Sequence, residues 1–305
     1  MIKELNLRIP YKNINDSEFI NYAVSKELEI EISTINHIEH LKKSLDARGR
    51  NIVYNLRVAI YINEDFIDRT SFFKPKDVSK GKEVGIIGAG PAGLFAALNA
   101  LEVGLKPVIF ERGKDVRARR RDLAKIHKEL IVDDESNYCF GEGGAGTYSD
   151  GKLYTRSKKR GNVKKVLEWF VHFGADKNIL VEAHPHIGTN KLPKIIQSIR
   201  EEIIKCGGEV HFDSKVTDFI IEDKVMKGVE INGVHKKTFD SVILATGHSA
   251  RDIFYLLEKN NVEIEAKPFA LGVRIEHQQS IIDEILESGK IQKDDLTILV
   301  VDGKN

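Results

Sequence analysis

The chain has 305 residues, enough for a large core and two or three domains, and its 41% hydrophobic and 30% charged residues are the balance of a globular protein. A formal net charge of +1 gives no overall field to recruit nucleic acid or an anionic membrane. Two cysteines, Cys139 and Cys206, exclude a disulfide framework, a metal knuckle and a C-x-x-C dithiol, so no metal site is expected; with no signal peptide at Met1 to Leu5 and no apolar run of spanning length, the expected location is cytoplasmic.

Residues 1–80 read as a separate small α+β domain. Glu4 to Ile9 alternates as a strand, Ser17 to Lys26 is a helix capped by Asp16, and Ile52 to Ile62 is a long strand. Asn36 to Ser44 is either a strand or a short helix. The resulting β-α-β-β order fits a ferredoxin-like arrangement. The basic turn Lys42 to Arg50 is either a contact for an anionic partner such as RNA or a solvated loop; the lack of interleaved aromatics favours the loop. Phe72 to Lys82, broken by Pro75 and Gly81, reads as a linker.

Next comes Val84-Gly85-Ile86-Ile87-Gly88-Ala89-Gly90-Pro91-Ala92-Gly93, a short apolar strand running into G-x-G-x-x-G, with helical spacing from Leu94 to Val103. Gly88 permits a tight turn, Gly90 leaves room for a pyrophosphate, and Gly93 lets helix and strand pack closely. The helix start offers free N–H groups and the positive dipole end. A second strand, Pro107 to Phe110, ends in Glu111, an acid placed to accept hydrogen bonds from an adenosine ribose and to repel a 2′-phosphate. The plainer alternative is an ordinary βαβ unit with a capping glycine turn. Gly141-Glu142-Gly143-Gly144-Ala145-Gly146 repeats the same spacing without a preceding strand or a following helix, and reads as a flexible loop approaching a ligand.

Arg117, Arg119, Arg120 and Arg121 either face solvent from a helix or clamp phosphates. Residues 152–188 look like a helical insertion, with Trp169 and Phe170 near the buried face of Val163 to Phe173. Its basic run (Arg156, Lys158, Lys159, Arg160, Lys164, Lys165) is an anion site or a solvated turn. A helix is expected over Lys191 to Cys206. Three strands follow, over Glu209 to Ile221, Val225 to Ile231 and Val234 to Phe239, with Asn232-Gly233 as a hairpin turn. Val242 to Gly247 reads as a strand buried on both faces, Ala250 to Asn260 as a helix, and 262–277 as the approach to a strand of a further domain. Cys139, His184, His186, His248, Asp150 and Lys152 are chemically able groups near these turns. None forms a complete catalytic set, so no catalytic residue is assigned.

The three-stranded meander returning through Ala245-Thr246-Gly247 resembles the FAD domain of glutathione-reductase-like flavoproteins. Four longer segments sharpen the resemblance: Cys139 to Leu153 (CFGEGGAGTYSDGKL), His186 to Leu192 (HIGTNKL), Ala245 to Asp252 (ATGHSARD) and Lys267 to His277 (KPFALGVRIEH). Together they resemble the bacterial family described as uncharacterised FAD-dependent dehydrogenases, or NAD(P)/FAD-dependent oxidoreductases. The resemblance implies an α/β fold: a Rossmann-like FAD-binding domain with a three-stranded β-meander, preceded by the small α+β domain. The implied boundaries are 1–80 for the N-terminal domain, 81–151 and 189–261 for the FAD domain, 152–188 for the insertion, and 262–305 for the start of a substrate domain.

The resemblance further implies FAD held by Gly88, Gly90, Pro91, Ala92, Gly93, Glu111, Arg112, Gly143, Gly144, Ala145, Gly146, Val216, Ala245, Thr246 and Gly247. The activity it implies is two-electron flavin oxidoreduction on an unidentified small molecule, with NAD(P)H as a transient reductant. Two alternatives stand beside it, a flavin-linked RNA-modifying or RNA-binding protein and a non-catalytic remnant. Members of the family continue well beyond the GVRIEH segment. The expectation is therefore an incomplete substrate domain, weakened FAD retention and an exposed apolar surface.

Overall fold

The computed structural model describes residues 1–67, 73–155, 161–188, 190–268 and 277–288. The chain divides into two compact units, Met1–Leu256 and Leu257–Asn305.

The first unit begins with β1 (Ile2–Pro10), α1 (Ser17–Leu28), β2 (Ile35–Asp46) and β3 (Val53–Ile62). The sheet order is β1-β3-β2, and β3 is antiparallel to both neighbours. This is the split β-α-β half of a ferredoxin-like fold; no fourth strand joins it among the described residues. Asp16 caps α1 by accepting the Phe19 N–H at 3.0 Å, and Glu29 closes the helix in the left-handed conformation at φ 54°. Ile20 and Val24 of α1 pack on Leu7, Ile9, Leu56, Val58 and Ile60 of the sheet. The segment Asn36 to Ser44, undecided from periodicity, is strand because it pairs with β3 along its length, His40 opposite Val58.

A parallel sheet follows, from β4 (Glu83–Ile87), β5 (Lys106–Phe110), β6 (Glu209–His211) and β10 (Val242–Leu244), in the order β10-β4-β5-β6. Between them run α2 (Pro91–Val103), α3 (Val116–Glu129), α4 (Val163–His172) and α5 (Leu192–Lys205). A separate antiparallel meander holds β7 (Val216–Glu222), β8 (Val225–Ile231) and β9 (His235–Thr238). Asn232 and Gly233, at φ 52° and 71°, make a left-handed turn closed by the Val234 N–H on the Ile231 carbonyl at 3.2 Å, within a three-residue connection that pairs Ile231 with His235.

The sheet is covered on both faces. Ile86 and Ile109 point into a core with Leu94, Leu98 and Leu101 of α2, Ile195, Ile199 and Ile203 of α5, and Trp169 of α4. Trp169 is 1% exposed and stacks on Phe95 at 5.7 Å. On the other face the Phe239 ring lies where a Cβ on Gly85 would come within 2.9 Å, and it meets Phe110 at 6.1 Å.

Three expectations need correction. The strand expected over Glu209 to Ile221 is two strands, because Asp213 turns the chain at φ 50°: β6 extends the parallel sheet and β7 opens the meander. The strand expected to be buried on both faces, Val242 onward, is an edge strand that among the described residues pairs only with β4, and there Ile243 and Leu244 are 39% and 43% exposed. The described part of the expected linker is no loose tether, since Phe73 and Val78 belong to the core.

The second unit starts within α6 (Arg251–Lys259) and includes α7 (Gln279–Glu287). In the segment expected to lead into a further strand, residues 263–268 carry no regular element and Phe269 to Glu276 lie outside the described residues. Among the described residues, no helix is long and apolar enough to cross a membrane.

Candidate functional site

The chain fills β4, β5 and β6 outward in one direction and then returns with β10 to the other side of β4. A crevice opens at the carboxyl ends of parallel strands where such an order reverses. Here it is a cleft of about 300 Å³ floored by the turn after β4 and walled by the loops after β5 and β10.

The three glycines of the first turn have separable reasons. Gly88 sits at φ 103°, and a Cβ there would come 2.5 Å from the Ala245 carbonyl oxygen. At Gly93 a Cβ would come 1.9 Å from the Gly88 carbonyl oxygen, so the helix seats on the turn only without a side chain. Gly90 has φ −73°, open to any residue, and among the described residues nothing lies within 4 Å of where its Cβ would be. Protein packing thus explains Gly88 and Gly93 and leaves Gly90 unexplained. Gly90 caps α2, with Pro91 in the first turn and Ala92 beside it on the cleft wall. The first N–H groups of any helix lack intrahelical acceptors, so this end favours an anion.

Glu111, at the end of β5, lines the cleft and is 5% exposed. Oε2 accepts the Ala89 N–H at 2.7 Å, and Oε1 accepts those of Gly113 at 2.9 Å and Gly141 at 3.0 Å. These three bonds occupy three of roughly four lone-pair positions of a carboxylate. The residue thus joins both glycine turns and the β5 loop. The following Arg112 also lines the cleft. Its guanidinium lies 4.5 Å from the centre of the Phe140 ring, donates to Asp252 at 2.6 Å, and stands 3.4 Å from Glu135. Burial pushes the Asp252 carboxyl up, but the Arg112 hydrogen bond and charge, with Lys215 nearby, carry it below the usual carboxylate value.

Of the fifteen residues expected to hold a cofactor, the cleft brings thirteen together: Gly88, Gly90, Pro91, Ala92, Glu111 and Arg112 from the first half, Gly144, Ala145 and Gly146 from the glycine loop, and Val216, Ala245, Thr246 and Gly247 from the second half. Gly93 and Gly143 do not line it. Gly143 faces the interior, where a Cβ would come 2.4 Å from Thr147 Oγ1 and 2.5 Å from Ile196 Cδ1.

Sequence reasoning did not name Phe140, Ser214 and Ser249 on the wall, while Gly141 lies there within the loop expected to approach a ligand. Ser214 was hidden by reading β6 and β7 as one strand; the turn-forming pair Asp213-Ser214 was the available signal. Cys139 and His248 line the cleft as well.

Arg119 neither faces solvent nor lines the cleft. It is fully buried, and its guanidinium donates to the backbone of the glycine loop. Beneath the same loop Glu142 is fully buried, with Oε2 accepting the Val116 N–H at 2.8 Å and Oε1 lying 2.8 Å from Arg200 Nε, close as an ion pair but not aligned as a hydrogen bond. Burial raises the Glu142 carboxyl to about 7 against the pull of the Val116 N–H and Arg200.

The other singled-out groups lie apart from the cleft wall. Asp150 Oδ2 is 3.4 Å from His186 Nδ1 and 3.6 Å from Lys152 Nζ, and His184 packs on Tyr154 at 4.6 Å. Lys165 pairs with Glu102 at 2.5 Å, and Lys164 lies 3.8 Å from Glu168. Arg156, Lys158, Lys159 and Arg160 fall outside the described residues. In the basic turn, Arg48 pairs with Asp46 at 2.9 Å. No group of three or more potential metal ligands occurs among the described residues.

The topology and cleft define an α/β protein with an open parallel sheet and a ligand-sized crevice at its switch point. Residues 1–61 match a family model described as a domain of unknown function, DUF8436. The chain is 36% identical over 300 residues to an uncharacterized protein of Clostridium beijerinckii, a match covering 91% of this chain and 56% of that protein. It is 27% identical over 162 residues to the digeranylgeranylglycerophospholipid reductase of Methanosarcina acetivorans, covering 51% of this chain and 34% of the reductase. The chain therefore spans about half the length, or less, of these relatives. Among solved structures, THI4 of Thermovibrio ammonificans is similar at 18% identity with a TM-score of 0.40, over 60% of this chain and 64% of THI4.

Proposed function

We propose that the cleft binds FAD and that the chain is the cofactor-binding part of a flavin-dependent oxidoreductase. The observation that carries this reading is Gly90. Its backbone floors the cleft at the start of α2, its φ suits any residue, and its missing side chain leaves space that no atom of the described residues fills. A diphosphate over a helix N-terminus supplies the missing reason. Glu111, one turn away on the wall, retains accepting capacity for ribose hydroxyls and disfavours a 2′-phosphate.

The meander supports FAD over a simple nicotinamide dinucleotide, by the resemblance of its connection to glutathione-reductase-like flavoproteins. The partial likeness to an archaeal reductase agrees with redox chemistry. FAD supplies hydride or electron-pair transfer when bound. This chain's residues would bind and orient it: the α2 amides take the diphosphate, Glu111 takes the ribose, and the Gly144 to Gly146 backbone forms the opposite wall. NAD(P)H as a transient reductant belongs to the same proposal, and the oxidised or reduced substrate is a small molecule.

Gly90→Val tests the reading directly. The variant is expected to melt within about 5 °C of the wild type, because the described residues leave room for a Cβ and the main cost is a poorer helix N-cap than glycine. Its FAD affinity, measured by quenching of flavin fluorescence on apoprotein, is expected to fall on the order of 100-fold. Unchanged affinity, or a wild-type chain that takes up no FAD, defeats the proposal.

A further inference from the structure

We infer that Arg119 is the positioning residue that shapes the glycine-loop wall of this cleft; the inference rests on reading the cleft as the FAD site. Residues 137–147 contain neither helix nor strand, so no ladder fixes their backbone. Main-chain bonds from Glu142 N–H to the Lys114 carbonyl at 3.1 Å and from Gly143 N–H to the Ala89 carbonyl at 2.8 Å hold two of the amides, and Arg119 gathers the carbonyls. Nε donates to the Asn137 carbonyl at 2.9 Å and Nη2 to that of Tyr138 at 3.1 Å. Nη1 reaches the carbonyls of Glu142 at 2.8 Å, Gly144 at 2.9 Å and Gly141 at 3.3 Å, and Thr147 Oγ1 at 3.2 Å.

Every one of these acceptors belongs to the loop, and all but one are main-chain carbonyls. Burial pulls the Arg119 pKa down, because a cation withdrawn from water is disfavoured. A guanidinium withdrawn from water and bonded to neutral carbonyls is a poor way to gain stability alone, but it imposes one loop shape. Lysine cannot replace it, because a single ammonium has no fork to span acceptors from Asn137 to Thr147.

The glycine pattern is the second, independent mark of this role. Gly141, at φ 114°, leaves the space through which Arg119 passes, for a Cβ there would come 2.4 Å from Arg119 Cδ. Gly143 leaves the space taken by Thr147, whose hydroxyl donates to the Gly144 carbonyl at 2.8 Å. Gly144, Ala145 and Gly146 then face the cleft. The first half of the motif is moulded on Arg119 and Thr147, and the second half is presented to the ligand.

The test compares wild type with Arg119→Lys, Arg119→Met and the milder Thr147→Val, with Val58→Ala in the N-terminal sheet as a stability control. FAD affinity of the apoprotein is expected to fall roughly tenfold in Arg119→Lys, further in Arg119→Met, and several-fold in Thr147→Val. Val58→Ala is expected to lower the melting temperature while leaving FAD affinity within about twofold. Hydrogen exchange needs no flavin: amides of 137–147 are expected to exchange faster in Arg119→Lys and Thr147→Val, with those of β3 unchanged. If Arg119→Met does not fold, the other two variants decide. Wild-type loop protection in both, or FAD affinity equal to wild type in both, overturns the role of Arg119. A wild-type chain that ignores FAD while the exchange result holds overturns the FAD reading and leaves the loop role standing.

Discussion

The two glycine turns share one spacing and are held by opposite means. The turn at 88–93 is a strand-to-helix junction whose shape is fixed by backbone against backbone: Gly88 against Ala245, Gly93 against Gly88. The turn at 141–146 has no regular element on either side; one main-chain bond, Gly143 N–H to the Ala89 carbonyl at 2.8 Å, anchors it, and the rest of its shape comes from the buried side chains of Arg119, Thr147 and its own Glu142. Glu111 ties one to the other, accepting from Ala89 in the first and Gly141 in the second. A spacing of glycines is therefore not one signal. What lies where each Cβ would be decides whether a glycine serves the protein or a ligand.

The largest effect expected from this contrast is at Gly93. Gly93→Ala drives a methyl to 1.9 Å from a backbone carbonyl that cannot rotate away. The expected loss is about 3 kcal/mol or more, seen as a fall of roughly 10 °C in thermal melting. A variant melting like wild type would mean that the junction is not held by backbone contact.

Next is the charge beneath the second turn. The Glu142 carboxyl is raised from 4.5 to about 7 in the fold, so the folded chain binds that proton more tightly than the unfolded one. Its contribution is complete below pH 4.5, declines as pH rises towards 7, and is flat above. The groups facing it are Arg200, Asp115, Arg119 and Tyr148. Denaturant unfolding of Glu142→Gln, with wild type subtracted, is expected to shift in favour of the variant by on the order of 2–3 kcal/mol between pH 4.5 and pH 8. A flat difference would show that Arg200 and Arg119 hold the carboxylate ionised throughout.

The first turn was legible in the sequence because its cause is local. Strand, glycines, helix and acid follow one another within a single crossover, and each has a reason at the level of backbone geometry. The separate meander hairpin was legible for the same reason, through Asn232-Gly233. The break between β6 and β7 was not, because a run that satisfies strand periodicity conceals one left-handed residue, Asp213. The exposure of Ile243 and Leu244 was not legible either, since an apolar triplet reads alike at an edge and in the middle of a sheet. Arg119 was the least legible of all. Four arginines within five residues look like a solvated helix face, and only the tertiary structure shows one of them turned beneath a loop that ends 28 residues beyond it in the sequence, at Thr147.

The smallest expected effect sharpens the inside–outside division of the second turn. Gly146 lies on the cleft wall, is not in the left-handed region, and among the described residues has only Ser149 Oγ, at 3.9 Å, near its missing Cβ. Gly146→Ala should therefore stabilise the chain slightly, by about 0.4–1 kcal/mol, because it restricts the unfolded state without straining the folded one. Gly141→Ala should do the reverse, since it meets both φ 114° and Arg119 Cδ. If Gly146 faces bound FAD, its variant loses affinity, roughly three- to tenfold, while melting at or above the wild-type temperature. The sign of the difference between these two effects is the informative quantity. A methyl that raises the melting temperature and weakens flavin binding can act only from the ligand's side of the wall, whereas one that lowers both acts from the protein's side.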